Sequence, residues 1–139
     1  MKERIVSNME IAELSNRQES HFYDNKAFVI KGGKIQKIAV AFANADGGEF
    51  IIGIRDKKEE VDSLKGWQGI ENIESFNFVF QNLTQLSPTI PHNYKFLKDE
   101  KGRFALRITI EKSESVHKTA NNTVYVRKIS PVSSFKRPR

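Results

Sequence analysis

The sequence contains no cysteine. Disulfides and thiolate metal sites are therefore excluded, and a reducing compartment is the natural setting. No stretch approaches the roughly 20 apolar residues needed to span a bilayer, so no membrane partner is expected. Met1–Glu10 carries charges and no apolar run, unlike a secretory leader. The expectation is an intracellular, cytoplasmic protein. The histidines, His21, His92 and His117, are scattered, and no spacing resembles a zinc site. There is no internal repeat, no low-complexity block and no evident serine or cysteine nucleophile arrangement.

What remains is enough for one domain. The chain has 139 residues, 38% of them hydrophobic, with ten phenylalanines and one tryptophan. A chain of this size can bury a core without covalent staples. The net charge of +6 is unevenly spread. Residues 1–100 hold 13 Lys+Arg against 15 Asp+Glu, a net of −2, whereas residues 101–139 hold 10 against 2, a net of +8. A basic end on a near-neutral body fits a polyanion partner, and equally a solvated face that keeps the protein soluble.

Periodicity locates the elements. Met9–Leu14 is a short helical piece. His21–Ile30 mixes aromatic and β-branched residues and predicts a strand with a break. Lys31-Gly32-Gly33-Lys34 predicts a turn. Over Lys34–Asn44, Ile35, Ile38, Ala39 and Phe42 fall on one helical face. Gly47-Gly48 stops that helix, and a short apolar strand, Glu49–Ile54, follows. Asn72–Leu86 predicts a second helix ended by Pro88 and Pro91. Asn93–Leu97 is a strand, and Asp99–Gly102 a hairpin turn. In Arg103–Glu111, Phe104, Leu106, Ile108 and Ile110 alternate with Arg103, Arg107 and Thr109, the pattern of a half-buried strand. Thr123–Lys128 is a last strand. Residues 1–130 form the domain, and the polar, basic, Pro-containing residues 131–139 read as a flexible tail or the start of a linker. The sum is an α+β fold, a mixed sheet of about five strands with two main helices packed on it.

Three groups of residues offer chemistry. Glu19, Asp24, Lys26 and Asp56 lie at predicted strand ends. Two or three carboxylates can hold Mg²⁺ or Mn²⁺ beside a phosphate, and a lysine can steady developing negative charge. The same residues also fit a reading as ordinary surface charges. The paired Gly47-Gly48 follow a helix C-terminus, which repels anions, so they cap the helix rather than cradle a phosphate. Arg103, Arg107, Lys118, Arg127 and Lys128 form a basic set. With Arg127 on a neighbouring strand, the arginines would make a stripe for a phosphate backbone, beside which Tyr125 and His117 would stack on bases or ribose. An ordinary solvent-facing sheet surface is the alternative.

The run Gln18-Glu19-Ser20, then Tyr23-Asp24-Asn25-Lys26, then Ala41-Phe42-Ala43-Asn44 with Gly47-Gly48, then Ile51–Asp56, resembles the Schlafen-type AlbA-like domain. Val124-Tyr125-Val126-Arg127 resembles that family's closing strand. The resemblance implies an α+β fold, a basic surface for RNA or DNA and, in nuclease members, three acidic metal ligands. Carried over by position, these fall on Glu19, Asp24 and Asp56. Asp24 is one methylene shorter than the usual Glu, and Asn25 stands where an aromatic or apolar residue is common.

Two functions follow from this. One is a Mg²⁺- or Mn²⁺-dependent endonuclease, acting on RNA such as tRNA rather than on duplex DNA. Such a small enzyme suits a toxin or antiviral effector, held by a regulatory protein partner or paired as a homodimer. The other is a non-catalytic nucleic-acid-binding module of a regulator or assembly.

Overall fold

The computed structural model describes residues 2–30, 32–55, 66–113, 116–120, 124–127 and 134–137. It opens on β1 (Glu3–Ile5), a strand too short for its alternation to register in the sequence. Helix α1 (Asn8–Asn16) starts at Ser7, whose Oγ accepts the Glu10 backbone N–H at 3.2 Å. Ser-x-x-Glu is the spacing of a capping box. Then come β2 (Tyr23–Lys26), α2 (Gly32–Ala43) and β3 (Gly48–Ile52). A 3₁₀ turn (Ile73–Phe76) leads into α3 (Asn77–Leu83), so the expected second helix is shorter and divided. The chain closes with β4 (His92–Lys98), β5 (Phe104–Ile110), β6 (Val124–Arg127) and β7 (Ser134–Arg137).

The fold is α+β. Five strands form one sheet in the order β1-β4-β5-β3-β2. β1 runs parallel to β4 and β2 parallel to β3, while β5 lies antiparallel between β4 and β3. β6 and β7 pair separately, and β6 packs on α2. Residues 134–137, expected as part of a flexible tail, are thus a strand. Their order comes from pairing with β6, a long-range partner that local composition does not reveal.

Each face of the sheet buries its own core. On one side, Ile35, Ile38 and Phe42 of α2 meet Phe50, Ile52, Leu106, Ile108 and Ile110, joined by Phe76, Val79 and Leu83. Phe42 stacks on Phe50 with centroids 6.4 Å apart. On the other side, Ile11 and Leu14 of α1 cover Ile51, Leu97 and Ala105. Simple alternation would put Ile52 and Ile54 on the same face. Instead Ile54 joins the α1 side, because Gly53 adopts φ +114 and the N–H groups of Gly53 and Ile54 both donate to the Lys26 carbonyl, at 2.8 and 3.3 Å. Two residues facing one is a β-bulge, and it turns the strand over.

Glycine has different jobs at the two ends of α2. Gly32 and Gly33, expected in a turn, begin the helix instead. A side chain on Gly32 would run into the Asn82 amide, so its bareness lets α3 approach. At the far end Gly47, at φ +81, donates its N–H to the Phe42 carbonyl at 2.9 Å and closes the helix. A Cβ on Gly48 would strike the Phe42 ring. Among the described residues no helix is long and apolar enough to cross a membrane.

Two outcomes follow. Phe42 is fully buried, so Phe42→Ala should cost about 3–5 kcal/mol in denaturant unfolding. A loss below about 1 kcal/mol would put that ring outside the core. Gly48→Ala, which adds a single methyl group, should still destabilise by about 1–3 kcal/mol, because the added atom meets a packed ring. Parent-like stability would show that α2 can shift freely on the sheet.

Candidate functional site

β2 is an edge strand with two unlike faces. Tyr23 and Asn25 point toward α1. The Tyr23 hydroxyl donates to Asn25 Oδ1, and Asn25 Nδ2 donates to the Leu14 carbonyl at 2.8 Å, near the end of α1. Burial pushes the Tyr23 phenol well above its usual range, and the nearby Arg17 offsets only part of this. The phenol therefore stays protonated and keeps donating. Asn25, unusual at this place in the resemblance, ties α1 to the strand together with Tyr23, whose hydroxyl lies 3.4 Å from the same Leu14 carbonyl.

The other face of β2 carries Asp24 and Lys26, which pair in register with Phe50 and Ile52. Asp24 is only 1% exposed, and Lys26 Nζ lies 3.4 Å from its Oδ2. A buried carboxylate needs a compensating cation, and here a lysine provides one. Glu19 is half-buried just before the strand, ahead of a turn in which the Ser20 N–H donates to the Tyr23 carbonyl at 3.0 Å. Asp56 lies outside the described residues, which reach Arg55. The structure thus sets Asp24 and Lys26 side by side on the edge strand, with Glu19 shortly before it in the chain. Among the described residues no group of three His, Cys, Asp or Glu side chains gathers around a common point. Glu19 and Asp24 offer oxygen donors, which suit a hard divalent cation.

The basic set is more dispersed than expected. Arg107 of β5 and Arg103, just before that strand, lie on its α1 side, as their spacing predicts. Arg103 is engaged at the β4–β5 hairpin, with its Nε 3.5 Å from Asp99 Oδ2. Asp99 also accepts the backbone N–H groups of Lys101 and Arg103, each at 2.9 Å. Arg127 and Tyr125 lie on β6, which is not in the five-stranded sheet, so the stripe joining Arg127 to Arg103 and Arg107 does not form. Lys118 pairs its backbone with Ser87 beside the α2 layer, and Lys128 lies outside the described residues. His117 does not reach solvent to stack on a base. It is 1% exposed, its ring nitrogens 2.7 Å from the Pro88 carbonyl and 2.5 Å from Ser113 Oγ. The Asn44 side chain bonds both the N–H and the C=O of His117, at 2.7 and 3.0 Å. Asn44 of the Ala-Phe-Ala-Asn run is therefore a clasp between α2 and the segment leading to β6.

Around Arg107 the structure gathers residues the sequence reading passed over. Lys95 stands directly opposite it on β4, and Asn93 opposite Thr109. Glu49 on β3 holds two arginines, with Arg17 Nη1 at 2.9 Å and Arg107 Nε at 3.7 Å. Arg17 also lies over the Tyr23 ring, 4.4 Å from its centroid. The hairpin gave a partial signal. It was incomplete, because counting back across a four-residue Asp99–Gly102 turn sets Lys95 against Leu106, whereas the observed register sets Lys98 against Phe104 and so Lys95 against Arg107.

Known proteins give the context for this geometry. A search of curated proteins finds no match. Among solved structures, the chain is similar to the crystal structure of the DIP2311 protein from Corynebacterium diphtheriae. The two share 17% sequence identity with a TM-score of 0.56, over 92% of this chain and 29% of that one. The likeness is one of fold, and the chain spans under a third of that protein's length. The family model described as Schlafen, AlbA_2 matches residues 19–133, a span that includes the acidic edge, the α2 stop and the basic strands. The chain belongs to the Schlafen AlbA_2 family.

Proposed function

We propose that this domain is a metal-dependent endonuclease acting on structured RNA such as tRNA. Family membership supports nucleic-acid binding as its coarse function. The observation that carries the finer reading is Asp24, a buried carboxylate on an edge strand with Lys26 beside it at 3.4 Å. Burying an acid there is costly for a strand that needs only apolar packing on that side. The cost is understandable if the pair serves chemistry. Glu19, Asp24 and Asp56 would hold Mg²⁺ or Mn²⁺, and the ion would supply an activated water and stabilise the leaving oxygen. Lys26 would turn from Asp24 to the scissile phosphate and neutralise its charge. Activity of this kind suits a toxin or antiviral effector kept in check by a partner protein or by pairing with a second copy.

The closeness of Asp24 to Lys26 also favours a second reading, a binding module in which the pair is a structural ion pair. Cleavage separates the two. Purified protein with Mn²⁺ should cut tRNA, and EDTA should stop it. Asp24→Ala should lower the rate by at least about 100-fold, with binding unchanged or slightly tighter, because acids sharing one ion act as a unit. Asp24→Glu should retain part of the activity. No cleavage across a panel of RNA and DNA, or an undiminished rate in Asp24→Ala, would leave the binding module as the answer.

A further inference from the structure

We infer that the corner of the sheet left bare by α1 is the surface that grips the nucleic-acid backbone, chiefly through Lys95 and Arg107, with Glu49 limiting the strength of the grip. The inference rests on the nucleic-acid reading above and specifies where and how the polymer is held.

The corner exists because α1 crosses the sheet obliquely. It begins where β1 ends and finishes over Tyr23, near the start of β2. Its apolar residues cover Ile51, Leu97 and Ala105. Beyond them, among the described residues, no helix packs over the first residues of β4 and the last of β5. By alternation, Asn93 and Lys95 on β4 and Arg107 and Thr109 on β5 face the same way. Their register, Lys95 against Arg107 and Asn93 against Thr109, makes a compact square. Lys2 joins from the edge, its Nζ 3.5 Å from Asn93 Oδ1, and lines the same shallow cleft.

The chemistry of the corner selects a polyanion. It holds Lys2, Lys95 and Arg107, an amide and a hydroxyl, with Arg17 at its border. Two acids oppose them. Glu3 lies 3.8 Å from Lys98, and Glu49 is held between Arg17 and Arg107. Cations outnumber acids, and the cations sit on neighbouring strands about 4.8 Å apart. The aromatic ring nearest the corner, Tyr94, packs on Phe80 and Phe96, with centroids at 5.1 and 5.8 Å on the α2 side of the sheet. Tyr94 borders the cleft, but its ring is taken up by these contacts and by the Lys2 ammonium, 5.5 Å from its centroid, so base stacking is not the mode here. Charge and hydrogen bonds to phosphates are, so binding will be indifferent to base sequence and suited to helical, structured nucleic acid. Arg17 carries the basic surface to the border of the acidic edge, two residues before Glu19.

The test is fluorescence anisotropy of a labelled RNA hairpin and a labelled DNA duplex, titrated with salt in EDTA to prevent cleavage. The parent should bind with affinity falling linearly on a log–log salt plot. The double variant Lys95→Ala/Arg107→Ala should reduce that slope by about 2, since each phosphate contact contributes about 0.9. Glu49→Gln should bind about threefold tighter at low salt, the size expected for one exposed charge. A gain of this kind cannot arise from misfolding. Lys101→Ala, an exposed lysine in the β4–β5 hairpin at the other end of those strands, should leave the slope unchanged. If the parent binds but the double variant keeps its slope and Glu49→Gln binds no tighter, the surface lies elsewhere and the nucleic-acid reading survives. If the parent binds neither probe, that reading fails and the inference with it.

Discussion

The Phe42 ring occupies the space that a side chain on Gly48 would fill, and this contact sets how α2 lies on the sheet. Helix and strand are joined by only four residues, Asn44 to Gly47. The chain must therefore reverse at once, and it does so through the left-handed Gly47 and the bare Gly48. With α2 seated, Phe42 stacks on Phe50, Asn44 reaches His117, and β3 is fixed between β2 and β5. Loosening that contact would disturb the core, the clasp to β6 and the strand that carries the acids.

The two faces of β2 and β3 then divide the work. Toward α2 the edge strand carries Asp24 and Lys26. Toward α1 it carries Tyr23 and Asn25, which anchor the helix end through the Leu14 carbonyl. The bulge at Gly53 lets β3 end on the α1 side, where Ile54 joins the second core. One strand pair thus holds a buried acid–lysine pair on one face and supports the helix bordering the basic corner on the other. Glu49 and Arg17 stand at that border, neutralising each other and Arg107 in part.

Periodic features were legible in the sequence. The apolar face of α2, its glycine stop and the alternation of β5 all depend on neighbours within a few residues. Features set by distant partners were not. Gly32 reads as a turn residue until Asn82 is seen against it. His117 reads as a surface ring until Asn44, Pro88 and Ser113 enclose it. Ile54 reads as a partner of Ile52 until the bulge is known. In the candidate site, Glu19, Asp24 and Lys26 were named from motif spacing, and the structure pairs Asp24 with Lys26 on the edge strand, with Glu19 ahead of it in the chain. The Arg103–Arg107–Arg127 stripe was assembled without knowledge of strand order, and β6 pairs outside the sheet. Lys95 was missed because the register across the hairpin is set by Asp99 facing Arg103, one residue away from what a four-residue Asp99–Gly102 turn implies.

The central claim is that the edge formed by β2 is a site built for a divalent cation beside a phosphate, rather than a strand end with an incidental ion pair. Paramagnetic broadening of backbone amide signals by substoichiometric Mn²⁺ tests it most directly, without relying on a substrate. The account predicts that broadening begins at residues 19–26 and around Arg55, and that Asp24→Ala abolishes it there while the remaining spectrum keeps its dispersion. Broadening scattered over exposed acids such as Glu71, Glu74 and Glu100, or an unchanged pattern in Asp24→Ala, would contradict it.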